Sequence, residues 1–203
     1  MATIPFVQID AFASRPFEGN QACVMPLEAF LPDATLQSIA AENNVAETAF
    51  IVPLEDGVWD LRWFTPAVEV PLCGHATLAA GHFLYAVEGF QGSQIRFRTR
   101  LSGDLLVARR DDDHLEMDFP AQPFKEIAPS QDIIDALGAA PLQCFDGPYY
   151  VALYERAEDI HGLAPNLDRL KSLGSVDPNW GVGNFGCMAL DGDGVDVTSR
   201  IFA

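Results

Sequence analysis

The 203-residue sequence predicts an α+β protein of two similar lobes, the first with a buried helix and the second incomplete. Three observations predict it. Segments of period two outnumber the short segments of helical period. A stretch holding three prolines, "PAQPFKEIAPSQ" (120–131), divides the chain into lobes at 1–119 and 120–203. And "DGVWDLRWFTP" before that stretch is echoed by "DGVDVTSRIFA" after it, with Arg62, Trp63 and Phe64 matching Arg200, Ile201 and Phe202.

The elements follow in order. "IPFVQIDAF" is a strand, and Pro and Gly in "SRPFEGNQ" forbid regular structure after it. Residues 34–43 read as a helix, with Asp33 as N-cap and Leu36, Ile39 and Ala40 on one face. "VAETAFIV" (45–52) is a strand, Asp56-Gly57 a hairpin turn, and "VWDLRWF" (58–64) the antiparallel return. A helix spans about 75–86; with Ala76, Leu78, Ala79, Ala80, Phe83, Leu84 and Tyr85 it is apolar all round and therefore buried. "QIRFRTRLSGDLLVARR" and "HLEMDFP" read as strands, the first broken by a Gly-Asp turn.

The second lobe reads as a helix over 132–138 ended by Gly138, a strand "YYVALY", and a helix from an Asn166 cap through Leu173 with Gly174 as its stop. "NFGCMAL" and "VDVTSRIF" then pair across the turn "DGDG". In the first lobe the Arg-Trp-Phe strand leads into the central helix; in the second the sequence stops at Ala203. A lobe that wraps strands around a helix cannot close without it, so the chain is expected to be truncated before a second central helix.

Composition narrows the function. Nearly half the residues are apolar, as in soluble globular chains, and no apolar run is long enough to span a membrane. The N-terminus lacks a signal-peptide layout, so a cytoplasmic location is expected. A formal charge of −17 argues against nucleic acid. Arg96, Arg98 and Arg100 alternate as one solvated strand face. Cys23, Cys73, Cys144 and Cys187 form no CxxC pair and are expected to be reduced, while His75, His82, His114 and His161 lack ligand spacing, so no metal is expected. "GVGNFG" (181–186) leads into a strand rather than a helix, so a dinucleotide-binding reading fails.

The chemistry-bearing residues cluster at two motifs. In "CGHATLA" (73–79), His75 lies in the first turn of a buried helix, whose free N–H groups carry partial positive charge. Gly74 allows a ligand close to that backbone, making an anion site suited to a carboxylate. The helix dipole and burial should keep the His75 ring neutral; a core histidine bonded to a carbonyl is the plainer alternative. In "VAETAFIV", Glu47 stands on a strand apolar on both faces, where desolvation should raise its pKa toward that of a general acid or base; a Glu47–Arg62 pair is the alternative. Cys73 is either a thiolate at a helix start or a small core residue. Asn20 holds either a ligand or its own turn, and His82 has no functional setting.

Together "DAFASRPFEGNQACV", "IAAENNVAETAFIV", "LRWFTPAVEVPLCGHATLAAGHFLY" and "DVTSRIFA" resemble the phenazine biosynthesis isomerase-like family, of diaminopimelate epimerase-like fold. The resemblance implies that each lobe is a curved, mostly antiparallel sheet wrapped around a central helix, with the active site between the lobes; it implies Glu47 and His75 as catalytic residues and Asn20, Cys73, Gly74, Ala76 and Thr77 contacting a small carboxylated substrate. It implies proton transfer between carbons without cofactor or metal, and a homodimer is an expected assembly. Gln21 departs from the family's usual proline, and a second-lobe catalytic aspartate has no counterpart here. The leading function is thus a cofactor-independent isomerase or epimerase. The alternatives are a thiol-based amino-acid racemase or epimerase using Cys73, and a non-catalytic binding protein that has lost half its site.

Overall fold

A computed structural model describes residues 3–15, 17–110, 114–174, 183–190 and 196–202. The chain divides into two units, Met1–Pro120 and Ala121–Ala203.

The first unit opens with β1 (Val7–Ala11), antiparallel to β2 (Asn20–Pro26). Helix α1 (Asp33–Asn43) crosses over to β3 (Glu47–Glu55), which therefore runs parallel to β2. Strand β4 (Val58–Phe64) returns antiparallel across the expected turn, where Gly57 takes a φ of +76°. A short β5 (Glu69–Val70) folds back on β4, and α2 (Gly74–His82) follows, continuing as one π-helical turn over Phe83–Val87. Strands β6 (Gln94–Thr99), β7 (Asp104–Arg109) and β8 (Leu115–Asp118) complete the sheet in the order β1-β2-β3-β4-β6-β7-β8.

Alternation divides the first sheet's side chains between two cores. Ala22, Val24, Ala49, Ile51, Leu61 and Trp63 face α2, while Met25, Phe50, Val52 and Phe64 face α1, with Leu36 and Ala40. Helix α2 touches β1 at one end of the strand order and β8 at the other, so the sheet curls around it. Ala76, Ala79, Ala80 and Gly81 are buried, as the apolar sequence demands, and His82 is exposed. At Gly81 a Cβ would lie 2.8 Å from Val107 Cγ1, so β7 sits against the helix at a distance only glycine permits.

Asp33 is not the cap of α1. Pro32 occupies that position, and Asp33 enters the first turn with its carboxylate accepting from Arg62 Nη1 at 2.9 Å. Arg62 is buried, bidentate to Glu69 at 2.8 Å on both oxygens, and stacked on Phe30 and Phe64. An exposed carboxylate near a buried guanidinium is drawn to that ion pair instead of the local backbone. Arg96, Arg98 and Arg100 are half-exposed, and each meets a carboxylate: Asp104, Asp60 and Glu69.

The second unit contains β9 (Lys125–Ile127), α3 (Gln131–Leu137), β10 (Gln143–Asp146), β11 (Tyr150–Tyr154), α4 (Ala157–Gly162), α5 (Leu167–Leu170), β12 (Phe185–Leu190) and β13 (Val197–Phe202), with strand order β13-β12-β11-β10-β9. The proline-rich stretch is thus not wholly irregular, because β9 forms within it. Gly138 ends α3 at φ +84°, and Asn166 Oδ1 accepts from Arg169 N as expected. Helix α5 stops at Leu170, short of Leu173, and the chain turns before Gly174, whose φ is +89°. The turn "DGDG" lies outside the described residues.

The echo extends to strand pairing. Neighbours β1-β2, β2-β3 and β3-β4 are antiparallel, parallel and antiparallel, and so are β10-β11, β11-β12 and β12-β13. Arg62 and Arg200 each stack on the phenylalanine two residues on, at 5.1 Å. The next residue differs: Trp63, under α2, is 2% exposed, whereas Ile201 is 55% exposed. Helices α3, α4 and α5 cover the other face of the second sheet, around Tyr150, Ala152, Phe185 and Cys187. No helix among the described residues is long and apolar enough to cross a membrane.

Candidate functional site

Two elements of the first unit bring the predicted residues together. Strand β3 begins at Glu47, on the same face as Ala49 and Ile51, which are buried against α2. Helix α2 begins one residue after Cys73, which is extended (φ −146°, ψ 114°). The Thr77 hydroxyl donates to the Cys73 carbonyl at 2.6 Å, alongside the Thr77 N–H at 3.2 Å, and this fixes the helix entry.

The His75 ring lies between the two elements. Its Nε2 is 3.1 Å from Glu47 Oε2 and 3.3 Å from the Gln21 carbonyl oxygen, and its Nδ1 is 3.4 Å from Cys73 Sγ. Both neighbours of Nε2 are acceptors, so Nε2 carries the hydrogen and Nδ1 presents its lone pair to the Cys73 thiol. The Nε2–H bond is aligned on Gln21 rather than Glu47: Glu47 Oε2 is a buried atom without a hydrogen-bond partner among the described residues. That oxygen therefore keeps accepting capacity beside the His75 ring.

Burial pushes the Cys73 thiol far above its ordinary range, and the charge of Glu47 pushes it further; the N–H groups of Ala76 and His75 oppose the rise only in part. Cys73 is therefore a neutral S–H donor facing His75, not a thiolate. Arg62 is not Glu47's partner, because its side chain lies on the α1 face of the sheet.

Glu47, Cys73 and His75 thus meet, each offering a ligand atom within 4.8 Å of the others. Gly74 borders open space, since a Cβ there would meet nothing within 4 Å. Ala76 and Thr77 are fully buried; Ala76 can offer a ligand only backbone, and both the hydroxyl and the N–H of Thr77 are taken by the Cys73 carbonyl. Asn20 is exposed at the start of β2, opposite Ala11, and its side chain is not hydrogen-bonded to the trio. Gln21 was not foreseen: its contribution is a carbonyl oxygen, and no side-chain signal could have revealed it.

Curled sheet, enclosed helix and repeated strand pairing define a diaminopimelate epimerase-like α+β fold, shared with a probable proline racemase from Agrobacterium radiobacter (TM-score 0.62, 12% identity, covering 98% of this chain and 70% of that one). The model of the phenazine biosynthesis-like protein family matches residues 9–172, and the chain belongs to that family. An uncharacterised isomerase from Pseudomonas aeruginosa is 48% identical over 166 residues, 82% of this chain and 63% of its own length. A putative phenazine biosynthesis PhzC/PhzF protein from Clostridium difficile superposes with a TM-score of 0.82 at 33% identity, over 99% of this chain and 74% of that one. The chain spans less than two thirds of the length of the first curated relatives it matches.

Proposed function

We propose that the protein is an isomerase or epimerase that moves a proton on a small carboxylated metabolite with its own side chains. The observation that carries this reading is the unpartnered Glu47 Oε2, 3.1 Å from His75 Nε2 at the mouth of a buried helix. Glu47 takes a proton from a substrate carbon, the electron pair passes into the adjacent unsaturated group, and Glu47 returns the proton to the same or another carbon. His75, its Nε2–H directed by Gln21, steadies the charge as it moves between the oxygen and the substrate. The substrate carboxylate lies on the first-turn N–H groups at Gly74 and Ala76, where the helix dipole attracts it despite the chain's negative charge, while Thr77 holds the helix entry through the Cys73 carbonyl. Asn20 is the proposed polar contact at the rim.

A thiolate mechanism at Cys73 is less favoured, because its environment holds the thiol protonated. The test is incubation with a panel of small carboxylates, saturated amino acids and unsaturated acids alike, in heavy water. Deuterium entering a substrate carbon by NMR supports the reading; binding of a carboxylate at α2 with no exchange in any panel member would sink it.

A further inference from the structure

We infer that the C-terminal end of α2 lines a binding site for a small organic cation with an apolar body, of the arylalkyl-ammonium class. The first unit holds a groove of about 860 Å³ there. Buried Leu27, Ile51, Phe83 and Leu84 line it, together with the half-buried rings of Trp59 and Phe90. This volume and this apolar, aromatic lining fit a small molecule rather than a lone ion.

The groove is separate from the trio. Ile51 stands four residues along β3 from Glu47, about 13 Å away, and Phe83 stands eight residues along α2 from His75, about 12 Å away. Binding in the groove therefore does not rest on the proton transfer proposed above.

Charge selects the ligand. The exposed part of the lining includes Glu28 and Glu88, and neither makes an ion pair or a side-chain hydrogen bond among the described residues. No Lys, Arg or His lines the groove among the described residues. Glu88 directly follows the π-helical turn Phe83–Val87, so the negative end of the helix dipole adds to the two carboxylates. Trp59 and Phe90 meet edge to face with centroids 5.1 Å apart, and such ring faces attract a cation as well as an apolar body. An anion of the same shape would meet the opposing local field of a chain with a formal charge of −17.

Calorimetric titration with 4-phenylbutylamine, against the uncharged 4-phenylbutanol of nearly the same size, tests the site. One equivalent of amine per chain is expected, bound at least about tenfold more tightly than the alcohol at low salt, with the gap narrowing as salt rises. Joint Glu28→Gln and Glu88→Gln substitution should bring the amine to the alcohol's affinity and leave the alcohol unchanged. Ala29→Trp, which fills the groove from an exposed lining position, should weaken both ligands at least about tenfold. Circular dichroism establishes that each variant is folded; should Ala29→Trp misfold, the paired glutamate variant decides. No saturable amine binding, equal affinity for amine and alcohol, or a preference that survives the paired glutamate substitution overturns the proposal. So does amine binding unchanged in folded Ala29→Trp. A dimer that Ala29→Trp dissociates, with no amine bound, gives the groove to a second copy and overturns it as well.

Discussion

At Gly74 the two demands on the helix entry, folding and ligand approach, can be separated. The position is not left-handed and its Cβ would meet nothing, so Gly74→Ala is expected to leave stability unchanged or raise it by up to about 1 kcal/mol, through better helix propensity. The same methyl would stand where a carboxylate must approach the N–H groups, so affinity for a small carboxylate should fall. Urea denaturation and ligand titration measure the two effects; unchanged affinity would remove the helix mouth from the account. The Glu47–His75 juxtaposition was legible only through the family resemblance: alternation groups Glu47 with Ala49 and Ile51, but a strand apolar on both faces does not tell which face meets the helix. The Gln21 carbonyl was not legible, because backbone atoms belong to every residue alike. The role of Asp33 was misread because a cap is judged from local sequence, whereas Arg62, 29 residues away, claims its carboxylate.

Among elements, α2 meets β7 closely at Gly81. Val107 is β-branched and fully buried, so it cannot swing aside from a methyl 2.8 Å away. Gly81→Ala is therefore expected to cost about 1–3 kcal/mol in urea denaturation, outweighing its gain in helix propensity; a neutral result would mean the helix can shift off the sheet. Elements with strong local signals were readable: the Asp56-Gly57 hairpin, the apolar run of α2, the Gly138 stop. Strands β9 and β10 were missed, since three or four residues acquire strand character only by pairing, as Cys144 does with Ile127 on one side and Ala152 on the other. Helix α4 was missed because six residues leave too short a window for periodicity.

For the whole molecule, the buried thiols set an alkaline limit on stability. Cys23, Cys73, Cys144 and Cys187 are all free and buried, and burial raises each above the ordinary 9.0. Cys187 is pushed up to about 12, with the charge of Arg200 opposing. The native chain then keeps protons that the unfolded chain has lost, so the contribution is complete below pH 9 and declines as pH rises toward 12. The slope is about 1.4 kcal/mol per pH unit for each thiol at full difference. Denaturation between pH 8 and 11 should show this fall, shallower in Cys187→Ala; an unchanged slope in that variant would show that the thiol titrates alike in both states. The similarity of the two units was legible at this scale from a single echoed segment, but the parallel pairs β2-β3 and β11-β12 within it were not, because strand pairing is set by long-range contacts.

The comparison that bears most directly on the proposed chemistry is the rate of deuterium exchange into a bound carboxylate for Glu47→Gln and Cys73→Ser, side by side. The account predicts a loss of about 10²- to 10⁴-fold in Glu47→Gln and less than about tenfold in Cys73→Ser, whose hydroxyl can still donate to His75. The reverse order, with exchange surviving in Glu47→Gln and vanishing in Cys73→Ser, would contradict it.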